Sequence, residues 1–175
     1  MMKKKSMKIM SAAMVFVLMI AMTVTVFAAP VTKKDALNKA LKDAKLTTEQ
    51  VKRLSVEYDA KDAAYEIEFT KKSNRAEYDY SISAATGKIT EKSVEYVYRK
   101  TSSKSKIGVT AARKKVASFS GISFSIIKTG TCRYSYENRE GIYEVKFRKG
   151  NYKYEYDVQA ATGKITEYEK ELIRK

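Results

Sequence analysis

Apolar and polar residues alternate with a period of two over several short stretches. Leu54, Val56 and Tyr58 alternate with Ser55 and Glu57; Tyr65, Ile67 and Phe69 alternate with Glu66 and Glu68; Tyr78, Tyr80 and Ile82 alternate with Asp79 and Ser81. Such alternation predicts strands with one buried and one wet face, as in an antiparallel sheet. A fourth run, Lys88 to Tyr98, is rich in Val, Ile, Thr and Tyr but alternates less cleanly. Before these runs, Ala36, Leu37, Ala40, Leu41 and Ala44 recur at helical spacing. Thr32 is placed to cap that helix, with Asp35 as its capping-box partner. The small Ala side chains predict a helix lying close to a sheet.

The pattern then repeats. Ala84-Ala85-Thr86-Gly87-Lys88-Ile89-Thr90-Glu91 recurs without change as Ala160-Ala161-Thr162-Gly163-Lys164-Ile165-Thr166-Glu167, at an offset of 76. Tyr78-Asp79-Tyr80 answers to Tyr154-Glu155-Tyr156 at the same offset, and Tyr65 to Phe69 answers to Tyr143 to Phe147 at an offset of 78. The length change falls where a hairpin loop lies between those blocks, as in a true structural repeat. In the second copy Ala112, Val116 and Ala117 take the helical positions, and Gly121-Ile122 closes the helix. Its cap has two candidates, Gly108 by alignment and Thr110 by chemistry. Tyr143, Val145 and Phe147, then Tyr152, Tyr154, Tyr156 and Val158, repeat the strand alternation. The expected fold class is α+β. It comprises two tandem units, each one helix packed on an antiparallel sheet of about four strands, after an N-terminal signal peptide.

Lys3, Lys4, Lys5 and Lys8 precede an uncharged, mostly apolar run from Ile9 to Phe27, and Val26-Phe27-Ala28 offers a cleavage site. That is the layout of a secretory signal peptide covering residues 1–28. The alternative is an uncleaved membrane anchor, against which Ser11, Thr23 and Thr25 weigh. The expected location is secreted or in the extracytoplasmic envelope. The remaining boundaries are 31–98 for the first unit, 99–106 for a linker without apolar residues, and 107–172 for the second unit.

Composition narrows the chemistry. Among 175 residues there is no His and one Cys, Cys132. This excludes His-dependent nucleophilic triads, imidazole metal sites, an internal disulfide and a Cys-x-x-Cys redox site. Cys132 reads as a small half-buried residue in a strand. The formal net charge is +15, and loss of four export-segment Lys leaves +11. Such charge suits anionic envelope polymers or lipid headgroups. Nucleic acid is not expected as a partner, because of the export signal and because no helix is basic along one face.

Each unit resembles a PepSY domain. The residues that carry the resemblance are an Ile/Val-Thr start and a helix with spaced Ala, then Tyr-Glu-Val-x-Phe, Tyr-x-Tyr-x-Ile and Ala-x-Thr-Gly-Lys. One departure stands at the turn, where the family commonly has Asp and this chain has Ser83 and Gln159. The resemblance implies a non-enzymatic protein that binds and inhibits or modulates an extracytoplasmic peptidase. It implies no catalytic residues, no cofactor and no metal.

The candidate binding residues are Thr86, Gly87 and Lys88 with Thr162, Gly163 and Lys164. Two readings of these identical loops stand together: a recognition element, and turn chemistry in which only Gly meets a positive φ. The alternative function is an envelope-associated structural or sensory protein recruited by its positive charge. Glu66 and Glu68 are the residues an enzyme reading would use, but alternating charge on a wet sheet face is the ordinary pattern. Any tyrosines pointing away from the helices, and an exposed strand edge, are further candidate contact features, while at least half of the tyrosines are expected in the core.

Overall fold

Thr32 starts the first helix as its sequence predicts. Its Oγ1 accepts from the Asp35 N–H at 3.2 Å, and the Asp35 carboxylate accepts from the Thr32 N–H at 3.1 Å. Two donors that would otherwise go unpaired at the helix start are thereby satisfied. Helix α1 (Lys33–Ala44) buries Ala36 and Ala40 completely, so its backbone lies one methyl group from the strands. Helix α2 (Val109–Ser120) begins at Gly108, with φ +83 and no side-chain cap, so the aligned glycine marks the start and not Thr110. Gly121, at φ +68, ends it. A single-turn helix α3 (Phe124–Ile127) follows and buries Ile127 fully. One turn is too short to leave a periodic signature.

The computed structural model describes residues 30–98, 106–137 and 140–173. The signal segment 1–28 and most of the linker, residues 99–105, lie outside the described residues.

The strands are β1 (Val51–Asp59), β2 (Ala64–Lys71), β3 (Glu77–Ser83), β4 (Ile89–Glu95), β5 (Thr131–Glu137), β6 (Glu140–Lys149), β7 (Tyr152–Gln159) and β8 (Ile165–Leu172). They do not form two sheets. All eight make one antiparallel sheet in the order β1-β2-β3-β4-β8-β7-β6-β5. The expectation of two separate helix-on-sheet units is therefore corrected. The last strand of each repeat would be an edge strand in isolation, and each satisfies the other's free backbone groups by pairing.

The join has a definite register. Glu91 faces Glu171, Ser93 faces Glu169 and Glu95 faces Glu167. At the repeat offset of 76, Ser93 and Glu169 are equivalent positions. The two copies thus meet about a local twofold centred on that pair, which places both helices on the same side of the sheet.

That side carries the core. One cluster gathers Ala36, Ala40, Leu41, Ile67, Phe69, Tyr80, Ile82 and Val94, and the other gathers Ala112, Val116, Ile127, Tyr143, Val145, Phe147, Tyr156 and Val158. Tyr168 on β8 packs against both clusters. Its ring stacks on Tyr156 at 5.7 Å and meets the edge of Phe119 at 5.8 Å. On the same side Lys92 donates to Asp43 at 2.7 Å and lies over the rings of Tyr80 and Tyr168. Burial alone would raise the Asp43 pKa, but its bond to Lys92 and the Lys92 charge hold it below the ordinary range.

Candidate functional site: carboxylate rows on the uncovered sheet face

The helices cover one face of the sheet, and strand alternation sends every second side chain to the other. Pairing through the join makes rows on that second face. One row runs Glu77 (β3), Glu95 (β4), Glu167 (β8), Asp157 (β7) and Glu144 (β6), each directly opposite the next. Five carboxylates on five consecutive strands stand in line before Arg133 on β5 ends the row. A second row holds Glu68, Asp79, Ser93, Glu169 and Glu155, and a third holds Glu57, Glu66, Ser81, Glu91 and Glu171.

On β2, β3, β4 and β8 this face carries nine carboxylates and no basic side chain, because Lys92 and Lys170 point to the helix side. Basic residues enter at the margins: Arg53 of β1 lies beside Glu68, Glu77 and Asp79, Arg133 stands on β5, and lysines stand on β7 and β6. Lys153 pairs with Glu171 at 3.3 Å, and Lys146 bridges Glu144 at 3.0 Å and Glu155 at 2.8 Å. Like charges directly opposite across strands are destabilising. Titration behaviour reflects that crowding. Burial, then the charges of Glu167, Glu144 and Glu155, push the Asp157 carboxyl up to about 6. Burial and neighbouring carboxylates also raise Asp79 and Glu167. Glu169 rises through burial and the charges of Glu91, Glu155 and Glu171, with Lys153 opposing. The surface is open, with shallow acid-lined depressions such as the one between Asp62, Glu66, Ser81, Glu91 and Glu171. Among the described residues no three of these groups converge to hold a metal ion. What the face offers is distributed negative charge.

Glu66 and Glu68 lie on this open face and not in a closed cleft. The strand tyrosines lie elsewhere: Tyr65, Tyr78, Tyr80, Tyr143, Tyr154, Tyr156 and Tyr168 all pack into the helix-side clusters. More than half of the thirteen tyrosines are thus core residues, as expected, and these offer no contact surface away from the helices.

The six predicted loop residues occupy two separate turns. β4 and β8 are antiparallel, so the turns leading into them sit at opposite ends of the sheet. Gly87 has φ +65 and its N–H donates to the Ser83 carbonyl at 2.8 Å; Gly163 has φ +72 and donates to the Gln159 carbonyl at 2.7 Å. Thr86 and Lys88 are exposed, and the Thr86 N–H donates to Ser83 Oγ. Each turn holds the chain that enters the helix of its own unit, through Val31 N–H to the Ala84 carbonyl and Ile107 N–H to the Ala160 carbonyl.

The second turn has further partners. Thr162 Oγ1 donates to Gln159 Oε1, and Gln159 Nε2 donates to the buried Glu140 at 2.8 Å. Tyr98, from the end of the first unit, donates to the other oxygen of Glu140 at 3.0 Å. Burial and that carboxylate push the Tyr98 hydroxyl up to about 12. Gln159 thus holds the carboxylate that Tyr98 of the first unit reaches. Nearby, Lys164 lines an open apolar hollow with Tyr96, Val97, Tyr98, Phe119 and Ile165.

The carboxylate rows were not among the predicted site residues. Each strand shows its acids as a period-two stripe, and Glu91 and Glu167 recur in the repeat. Rows appear only when the register of β4 on β8 is known.

Residues 30–92 match the PepSY family model, described as peptidase propeptide and YPEB domain. This stretch is a PepSY domain. It covers α1 and β1 to β3 and enters β4, so the carboxylates of Glu66, Glu68, Glu77, Asp79 and Glu91 belong to the PepSY domain itself. No curated protein matches the chain. Among solved structures it is similar to a protein of Clostridium difficile 630 described as a lipoprotein, at 19% identity over 83% of this chain and 95% of that one, with a TM-score of 0.30. It is also similar to the C-terminal domain of Bacillus megaterium YpeB, at 13% identity and a TM-score of 0.47, covering 83% of this chain and 65% of that one. Among the described residues no helix is long and apolar enough to cross a membrane.

Proposed function

We propose that this PepSY-domain protein is a non-enzymatic extracytoplasmic binding protein that holds and modulates a peptidase through the uncovered face of its sheet. The observation that carries the reading is the PepSY match over residues 30–92, a family described by its peptidase propeptides. The open face is consistent with it, since a broad sheet surface suits contact with another protein. The test is a titration of purified protein against peptidases of the secreted fraction, with rate and binding measured together. A peptidase bound and slowed supports the reading; binding without any change in rate, or no binding, removes it.

A second reading, recruitment to anionic envelope polymers, draws on the other side of the molecule. Helix α2 carries Arg113, Lys114 and Lys115 with no acidic residue, and α1 carries Lys33, Lys34, Lys39 and Lys42 against Asp35 and Asp43. Salt-sensitive binding to isolated envelope, lost when the α2 cations are neutralised and unaccompanied by peptidase inhibition, would favour it.

A further inference from the structure

We propose that the uncovered sheet face docks a cationic polypeptide, a Lys- or Arg-rich segment laid across β4, β8 and β7. The inference rests on the reading that this face is a contact surface, and it specifies the chemistry of what lands there.

The shape of the charge selects the occupant. Glu77, Glu95, Glu167, Asp157 and Glu144 form a line crossing five strands, roughly 19 Å long at the usual strand spacing of about 4.8 Å. A point cation neutralises only its immediate neighbours, and among the described residues no three acids are placed to hold one metal ion. A chain bearing several cations matches a line of carboxylates along its whole length.

Charge segregation gives the second argument. The full chain is strongly basic, at +15, so on average it repels a polycation. The nine carboxylates on β2, β3, β4 and β8 nonetheless stand together on one face, while the cations of α1 and α2 stand on the other. Pairing this face with the same face of a second copy would set acid on acid. The face also lacks the tyrosines that would support an aromatic contact, since those pack under the helices. Charge is what it has to offer a partner.

The full chain is tested with a fluorescent dodecalysine peptide, by anisotropy in about 20 mM and about 300 mM salt. The comparison is a triple variant, Glu95→Gln/Glu167→Gln/Asp157→Asn. The expected result is binding at low salt, weakened at high salt, and weakened roughly tenfold or more in the triple variant. The α2 variant Lys114→Gln/Lys115→Gln should bind at least as well as the parent. The triple variant removes facing like charges, so its unfolding midpoint should not fall, which a urea titration checks.

No binding at low salt, or equal binding by the triple variant, overturns the proposal. Micromolar calcium that binds the chain and displaces the peptide also overturns it, in favour of a metal site. So does self-association that the triple variant abolishes while dodecalysine fails to bind, because the occupant is then the helix side of a second copy. If dodecalysine binds this face and no peptidase is slowed, the docking surface stands and the peptidase reading falls. If a peptidase is slowed equally by parent and triple variant, the peptidase reading stands and this surface falls.

Discussion

Glu95 on β4 stands directly opposite Glu167 on β8. This meeting of like charges follows from duplication. Glu91 and Glu167 are equivalent positions, as are Glu95 and Glu171, at the offset of 76. When a strand pairs antiparallel with its own copy about a central residue, glutamates placed evenly around that centre must face glutamates. The pairs Glu91–Glu171 and Glu95–Glu167 are the result. Reversing one charge tests the register. Glu167→Lys would place a cation between Glu95 and Asp157, and it should stabilise the fold by about 1 kcal/mol. A urea unfolding midpoint that moves down would contradict this pairing.

Asp157 gives the face a pH signature. Its folded pKa of about 6 lies above the ordinary 3.8, first through burial and then through Glu167, Glu144 and Glu155, with Lys146 opposing. Folding therefore favours the protonated form. The stability this provides is complete below pH 3.8 and is lost as pH rises through about 6. Asp43, whose pKa is lowered, acts in the opposite sense, so the whole-protein profile mixes both. Subtracting the parent from Asp157→Asn isolates the site. The variant should gain little relative to the parent near pH 4 and about 1 kcal/mol near pH 7, after discounting for partial exposure. A pH-independent difference between the two urea curves would exclude the mechanism.

Tyr168 is shared by the two core clusters, which makes it a test of whether the repeats fold as one. Tyr168→Ala should cost about 2–3 kcal/mol, less than a fully buried aromatic because the residue keeps some exposure. Amides of β2 and β6 should lose the same protection against hydrogen exchange. Loss confined to β6, in the second repeat, would mean that the units unfold independently.

The two glycine turns make a separate prediction. A Cβ at Gly163 would lie 3.0 Å from Lys115 Cε and 3.2 Å from Ile107 Cδ1, and one at Gly87 would lie 3.3 Å from Val31 Cγ2. Both residues also have positive φ. Gly87→Ala and Gly163→Ala should each cost about 1–2 kcal/mol in thermal or urea unfolding. Neither should change dodecalysine binding while the protein is folded. A binding loss without a stability loss would give these turns a recognition role.

Tyr98→Phe probes the tie between repeats. It withdraws a donor from the buried Glu140, leaving Gln159 as a remaining partner. The expected cost is about 1–2 kcal/mol at neutral pH, read from urea unfolding. An unchanged midpoint would show that Glu140 is satisfied without Tyr98.

Several features were legible because they are local. The Thr32–Asp35 box and the Ala36/Ala40 stripe lie within a few residues of each other. Side-chain alternation along β2, β3, β6 and β7 declares which residues share a face. The octapeptide repeat marks two equivalent turns. The candidate site was legible only in pieces, since the acids of β4 and β8 read there as solvated charges on two unconnected strands.

The sequence by itself determined the repeat, the alternating strands, the first helix with its cap, and the two faces of β2, β3, β6 and β7, because these depend on neighbours along the chain. Only the tertiary structure decided that β4 meets β8, that one sheet replaces two, that Tyr168 joins both cores, and that separate glutamates become rows. Strand pairing is made by backbone hydrogen bonds, which look alike at every residue. The choice of partner therefore leaves little trace in composition or spacing, and the charge pattern across the sheet exists only once that choice is made.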